Sequence, residues 1–357
     1  MSRLLFVEDI QDFIEPFMER LSVENGQYSY EIIEFKNVLE KIESFSPDII
    51  ILDLLEGNEE SPGVDIFDEI WRRKYCPVIV YSAQPDRIQE EKQNHPFIDT
   101  IKKGRGSEEK LVVSIAKYTP YAIALRQAED RFRAYFAETI RKVAPMVFEN
   151  HETQEEQSDA IVRTGRRRLA AWLDDPESIG EKIASWEQYI YPPVTGGVRL
   201  GDVYRLKDGD PEDPTSFRVV LTPSCDLVAS STRKPKTKAV LFAKCLSVGD
   251  ALNLAGLGSM KNEDKLTQTI LTRGYYESII PFPSLKGAIP TMFANVKDLE
   301  LVPIGDDGVL QAEMVKAASI DSPFREMISW AYLNTACRPG MPDRDFPKWS
   351  AEIFQAK

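Results

Sequence analysis

Histidine is almost absent from this chain: His95 and His151 are the only two among 357 residues. With so few imidazoles, a zinc site or a serine–histidine triad is hard to assemble. Cysteine is scarce as well. Cys76, Cys225, Cys245 and Cys337 show neither close pairing nor metal-ligand spacing, which reads as four reduced thiols. No apolar run approaches the roughly 20 residues of a membrane span, and the N-terminus opens on a strand pattern instead of a signal peptide, so the expected location is the cytoplasm. Basic charge is in deficit. A net charge of −13 argues against a nucleic-acid binder by bulk charge and leaves room only for a local basic patch. What remains, 43% hydrophobic and 28% charged, is ordinary soluble globular composition, long enough for two or three domains.

Five small pieces occur in a fixed order in the first hundred residues. An acidic pair, Glu8 and Asp9, follows an apolar run (LLFVED), and Asp53 ends a second run (DIIILD). Gly63 lies on the following loop, Ser82 ends a third run (PVIVYSA), and Lys102 and Lys103 end a fourth (FIDTIKK). The spacing predicts strands at 3–7, 29–35, 48–53, 77–82 and 97–102. Helical patterns fall at 10–22, 37–45, 64–74, 85–93 and 107–117. Runs such as Ile49-Ile50-Ile51-Leu52 and Val78-Ile79-Val80 suit a parallel sheet buried on both faces. Strict alternation of strand and helix predicts the doubly wound α/β class, in which ligands bind at strand carboxyl ends. All the polar pieces sit at such ends.

The residue types suit phosphoryl acceptance by a carboxylate. Mg²⁺ is a hard ion that takes few carboxylates, and Glu8, Asp9 and Asp53 supply that set, with Asp53 also the nucleophile. A hydroxyl and an ammonium at neighbouring strand ends, Ser82 and one of the lysines, can hold the remaining phosphoryl oxygens.

On these residues, 1–118 resemble the receiver domain of two-component response regulators. The resemblance implies a flavodoxin-like fold and Mg²⁺ as cofactor, with Asp53 as phosphoacceptor and Glu8 and Asp9 as the other metal-binding acids. It also implies Ser82 as the family hydroxyl, Lys103 as its lysine, and a histidine kinase or GHKL-type ATPase as partner. Lys102 is the runner-up, because Gly104 stands where the family usually has proline. The loop after Asp53 (LLEGNEESPG) is longer than the family's, and Thr100, or Asp99 if Lys102 is the match, stands where the family's switching aromatic belongs.

Residues 121–150 read as a long helix ended or kinked by Pro145, with a stripe of Leu125, Ala128, Phe132, Tyr135 or Phe136, Ile140 and Val143. That stripe is either a homodimer seam over 121–143 or packing against flanking domains. Residues 159–173 read as a further helix. Its cluster of Arg163, Arg166, Arg167 and Arg168 reads as a solvated face pairing with Asp174, Asp175 and Glu177, and His151 before it reads as solvated.

From about Gly196 the texture changes to short strands with turn signals: 199–206, 216–224 and 238–246. The pattern GDV-x₁₃-FRVVLTPS resembles the SH3-like barrel of the PemK and MazF toxin family over about fifty residues. TPSCDL (222–227), together with 319–342, resembles uncharacterised bacterial proteins bearing a Cys-Asp signature. Cys225 and Asp226, with Arg325, form the candidate output site. Cys225 reads either as a nucleophile, activated by Arg233, Lys234, Lys236 or Lys238 on the next loop, or as a small buried cysteine at a strand end with Asp226 making local backbone hydrogen bonds, and the second is expected. A mostly buried helix over 321–336 is expected, capped by Asp321 or Ser322 and carrying Met327, Ile328, Trp330, Ala331 and Leu333 inward.

The expected organisation is a receiver (1–118), a helical linker (119–190) and a β-rich α+β output domain with a small barrel (191–357). The expected function is a signalling protein phosphorylated on Asp53, with autodephosphorylation its sole turnover. Association with operon-type families points to stress or phage-defence signalling. Two rivals stay open: a pseudo-receiver acting as a binding module, and a toxin-like ribonuclease output.

Overall fold

The apolar runs of the first hundred residues become parallel strands whose alternate side chains enter two different cores. In the computed structural model these are β1 (Ser2–Val7), β2 (Tyr28–Ile33), β3 (Ile49–Leu52), β4 (Val78–Ser82) and β5 (Ile98–Lys102), in the order β2-β1-β3-β4-β5. Leu4, Phe6, Ile49, Ile51 and Tyr81 pack with α1 (Ile14–Asn25) and the start of α5 (Ser107–Asn150). Leu5, Val7, Ile50, Leu52 and Val80 pack with α2 (Val38–Phe45) and α3 (Pro62–Arg73), while a short α4 (Glu90–Gln93) precedes β5. Strand order reverses at β1/β3, which opens a crevice at the strand carboxyl ends. The structure describes residues 2–12, 14–25, 28–56, 62–74, 76–173, 182–194, 196–230, 232–338 and 344–356. The tip of the acidic loop at 57–61 and the proposed arginine partners Asp174, Asp175 and Glu177 lie outside them.

The chain divides into two units, residues 1–178 and 179–357. In the first, α5 runs for 44 residues and crosses position 118 without a break. Pro120 and Pro145 both lie inside it, so Pro145 does not end the helix. The segment beyond Tyr118 is tied to the base of the sheet. Ala122 enters the core, and Arg126 Nη1 donates to Asp48 Oδ2 at 2.6 Å. Asp48 is buried and also accepts from the Arg3 backbone N–H at 2.7 Å. α6 (Gln154–Leu173) folds back on α5: Val143 and Val147 pack on Ala160, and Tyr135 stacks on Trp172 with centroids 4.1 Å apart. Much of the apolar stripe on α5 is thus consumed within the chain, leaving Phe132 and Phe136 about two-fifths exposed. Arg163 pairs with Asp159 one turn before it on α6.

The second unit is a seven-stranded antiparallel sheet. Its strands are β6 (Tyr189–Ile190), β7 (Asp202–Leu206), β8 (Phe217–Val220), β9 (Ala239–Leu246), β10 (Ile279–Phe282), β11 (Met292–Pro303) and β12 (Met314–Ile320), in the order β10-β11-β9-β8-β7-β12-β6. Side chains from all seven strands share one core: Tyr189, Val203, Phe217, Cys245, Phe282, Met292 and Ile320 meet there. Tyr189 Oη, on one edge strand, donates to the Pro283 carbonyl beyond the other at 2.7 Å. The sheet therefore curls around its contents. Short helices α7 (Ser224–Leu227), α8 (Val248–Leu254) and α9 (Glu263–Leu266) join the strands, and α10 (Phe324–Ala336) and α11 (Phe346–Gln355) follow them.

Two expectations need correction. The helix over 321–336 starts at Phe324, with Pro323 at its cap and no side-chain cap hydrogen bond. It buries only Ile328 and Ala331; Trp330 and Leu333 are 54% and 55% exposed. Apolar residues spread around the helix cannot show from sequence which face is covered.

Asp48 holds both the sheet and the α5 extension, so its loss leaves two guanidinium groups and a backbone N–H short of an acceptor. Asp48→Ala is expected to cost about 1–3 kcal/mol by urea denaturation. Arg126→Ala should cost less, because Asp48 keeps its Arg3 contacts.

Candidate functional site

Three strand ends deliver the charged groups to one place. β1 ends at Val7 and presents Glu8, β3 ends at Leu52 and presents Asp53, and β5 ends at Lys102 and presents Lys103. Glu8 and Asp53 are buried. Lys103 Nζ stands between them, 2.5 Å from Glu8 Oε2 and 2.6 Å from Asp53 Oδ2. Lys102, paired with Ser82 in the β4–β5 register, points to solvent. The register therefore separates two lysines that are equivalent in sequence. Asp53 Oδ1 accepts from the backbone N–H groups of Leu54 and Leu55 at 2.6 and 3.2 Å. Ser82 is fully buried at the end of β4, where its carbonyl accepts from Lys103 N at 2.9 Å.

Gly63 is fixed by closeness. A Cβ there would stand 2.2 Å from the Asp53 carbonyl oxygen and 2.5 Å from Leu54 Cα. The start of α3 thus leans on the backbone that carries Asp53, and no other residue allows that approach.

Ligand oxygens of Glu8, Asp9 and Asp53 lie within 4.8 Å of one another, a buried acidic cluster of the kind that holds a divalent cation. The electrostatics of the site agree with that fit. Burial pushes the Glu8 carboxyl up to about 7, and the Lys103 ammonium offsets this only in part, with Asp53 adding repulsion. Burial alone would pull Lys103 down, but its hydrogen bonds to Asp53 and Glu8 outweigh that and leave it raised. One ammonium is too little positive charge for this many carboxylates, and a hard oxygen-seeking cation would supply the remainder.

Sequence reasoning missed Tyr81 and Ser107. Tyr81 is the residue before Ser82 and reads as core. Its ring lies 5.5 Å below the Lys103 ammonium, and its hydroxyl is 2.7 Å from Ser107 Oγ at the first residue of α5. Ser107 Oγ also accepts from Gly104 N at 3.2 Å. Thr100 lies within β5 beside Val80, and Asp99 accepts from Ser114 Oγ at 2.7 Å. A tyrosine on β4 with no aromatic at 100 was not suggested by the family pattern.

The output-site expectations fare differently. Cys225 is exposed, not buried, and sits in the helical turn α7, five residues past the end of β8. The Asp226 carboxylate faces Lys236 at 3.8 Å and the Cys225 thiol at 3.7 Å, not local backbone N–H groups. The Arg233 guanidinium donates to the Cys225 carbonyl. Arg325 pairs with Glu326 and packs beside Gly201; among the described residues, no hydrogen bond or ion pair joins it to Cys225 or Asp226.

No protein-family model and no curated protein matches the chain. Solved structures similar to its N-terminal third include response-regulator receiver domains. The N-terminal domain of the nisin resistance regulator NsrR is 19% identical, with a TM-score of 0.28, and the match covers 33% of this chain and 97% of that one. The Mn²⁺-bound form of response regulator Rcp1 is 17% identical, at 33% and 94% coverage and a TM-score of 0.27. The CheY-like receiver domain from Methylobacillus flagellatus is 19% identical, at 32% and 98% coverage and a TM-score of 0.26.

The Glu8 proton makes stability depend on pH. The unfolded carboxyl loses its proton near its ordinary value of 4.5, while the folded one keeps it to about 7. Between these values the folded state binds more protons, so stability falls as pH rises across that window and levels off above it. Urea denaturation of metal-stripped protein should show this fall, and Glu8→Gln should flatten it.

Proposed function

We propose that residues 1–118 are a receiver that accepts a phosphoryl group on Asp53 from a partner histidine kinase or GHKL-type ATPase. Residues 119–190 then carry the change towards an output domain at 191–357. The observation that supports this most is the Lys103 ammonium held between Asp53 and Glu8 at three converging strand ends. Glu8, Asp9 and Asp53 would hold Mg²⁺, which when bound neutralises the incoming phosphoryl oxygens. An Asp53 carboxylate oxygen forms the bond to phosphorus as the donor's P–N bond breaks, and the freed imidazole takes its proton from solvent. Ser82 and Lys103 are placed to hold the oxygens that arrive.

To do so, Lys103 has to exchange one carboxylate contact for a phosphoryl oxygen. Its neighbours carry that shift onward. Tyr81 lies under the ammonium, and Ser107 binds both Tyr81 and Gly104 at the first turn of α5. A β4 tyrosine thus stands in for the absent β5 aromatic. The curled sheet of the second unit, with all seven strands in one core, supports reading it as an SH3-like barrel open at one seam. The exposed Phe132 and Phe136 support a homodimer through 121–143. In this reading the pathway serves stress or phage-defence signalling.

Intact-mass measurement after treatment with acetyl phosphate and Mg²⁺ should show one added phosphoryl group, and Asp53→Asn should abolish it. A wild-type protein that takes up neither phosphoryl nor BeF₃⁻ would instead make residues 1–118 a pseudo-receiver binding module. Light scattering should report a dimer, and Phe132→Glu with Phe136→Glu should give a folded monomer. If that variant unfolds, both rings belong to the α5–α6 core and the dimer reading fails.

A further inference from the structure

The acidic excess that argued against nucleic-acid binding belongs almost wholly to one unit. Residues 179–357 carry 21 Lys and Arg against 22 Asp and Glu, so nearly all of the net −13 lies in residues 1–178. The bulk-charge argument therefore says little about the second unit, whose surface has to be read locally.

One part of that surface gathers cations and aromatic rings. Arg273, Lys297 and Arg338 come from three separate segments: the loop before β10, strand β11, and the end of α10. They line a cavity of about 250 Å³ with Tyr275, Tyr276, Asn334 and Thr335. Glu277 is the one acid in its wall, and it pairs with Arg338 at 3.3 Å. Among the described residues, neither Arg273 nor Lys297 has an acidic partner, whereas Lys234 and Lys236 on the basic 229–238 loop are paired with Asp306 and Asp226. The cavity wall is fixed in place. Glu277 has a φ of 54°, a left-handed conformation that a non-glycine residue adopts only when held, and Thr335 Oγ1 donates to its carbonyl at 3.1 Å. A second cavity of about 340 Å³ adjoins the first through Asn334 and Arg338 and is lined by Trp330, Leu333 and Cys337. Trp330 is more than half exposed, steadied edge-on by Tyr275 with ring centroids 5.0 Å apart.

We propose that this surface, from Arg273 through Trp330 to Arg338, binds single-stranded nucleic acid. Cations without counter-ions suit phosphates, and an exposed indole held by a tyrosine offers a flat face on which an unpaired base can stack. Asn334, between the two cavities, can both donate to and accept from a base edge. A duplex hides its base faces and needs a long cationic stripe, which two adjoining cavities do not provide. An acidic peptide would satisfy the cations but leave Trp330 without a stacking partner.

Fluorescence anisotropy of the full-length protein with labelled oligouridylate and oligothymidylate, at low salt and without phosphodonor, tests this independently of phosphorylation. Both strands should bind, with affinity falling as salt rises. Arg273→Glu with Lys297→Glu should weaken binding about tenfold or more and reduce the salt dependence. Trp330→Ala should weaken it about tenfold while leaving the salt dependence unchanged, the separation expected of phosphate and stacking contacts. Oligouridylate binding well above oligothymidylate would specify RNA within the proposal. All three substitutions lie on exposed side chains, so unaltered melting temperatures are expected; if Trp330→Ala lowers the melting temperature, Trp330→Phe at full stability and near wild-type affinity takes its place as support. Absence of binding to either strand, affinities unchanged in both variants, or binding of a labelled oligoglutamate at the expense of the oligonucleotides would overturn the proposal.

Discussion

The contact of one ammonium with two buried carboxylates governs the first unit. Burying Glu8 and Asp53 at adjacent strand ends is unfavourable unless a positive charge joins them, and Lys103 supplies it from two strands away in the sheet. The compensation is incomplete, as the raised Glu8 carboxyl shows. A site left short of positive charge is poised to respond: a divalent cation beside the carboxylates, or a phosphoryl group on Asp53, would each change what Lys103 has to balance. A fully neutralised cluster would hold the strands together equally well and would have no reason to rearrange.

Any rearrangement at Lys103 would have a mechanical outlet, because α5 is continuous. Proline inside a helix removes a hydrogen bond and crowds the preceding turn, yet α5 passes Pro120 unbroken. Contacts on both sides hold it. Tyr118 donates from its hydroxyl to the Ile98 carbonyl at 3.1 Å, Thr119 Oγ1 takes up the Ile115 carbonyl at 2.8 Å, and Arg126 is held by Asp48. The helix thus begins at the lysine loop, passes under the sheet and ends in the α5–α6 hairpin. A shift at Ser107 would be presented to one continuous helix instead of being absorbed at a linker.

What was legible in the sequence follows from how local its cause is. Buried parallel strands announce themselves as apolar runs, and polar residues ending those runs fall at the crevice because topology leaves them nowhere else to go. Lys103 was preferred to Lys102 by resemblance alone; the physical reason is the β4–β5 register, which pairs Lys102 with Ser82 and which no local pattern carries. Tyr81 was hidden because a site aromatic and a core aromatic look alike until the distances to Lys103 and Ser107 are known. In the second unit β11 escaped notice because its pairing with β9 shifts register between Asn295 and Leu299, which breaks the two-residue alternation. Cys225 looked like a buried strand end because the chain leaves β8 at Val220, sooner than its apolar run suggests.

Averages misled where the chain is heterogeneous. Net charge is a property of the whole polypeptide, but a ligand meets the field within about 8–10 Å at physiological salt, the distance over which exposed charges are screened. At that range the local surface decides, and around Arg273 and Lys297 the one acid in the cavity wall, Glu277, is already engaged by Arg338. The same reasoning applies to hydrophobicity along α10. Its composition predicts burial, yet a single helix laid against one curled sheet can cover only one face, and Ile328 and Ala331 take it. Trp330 and Leu333 are left outward by geometry, beside the unpaired cations. A chain that keeps this unit near neutral while concentrating acids in the other separates two electrostatic environments: a buried carboxylate cluster short of positive charge, and a second surface whose cations lack acidic partners among the described residues.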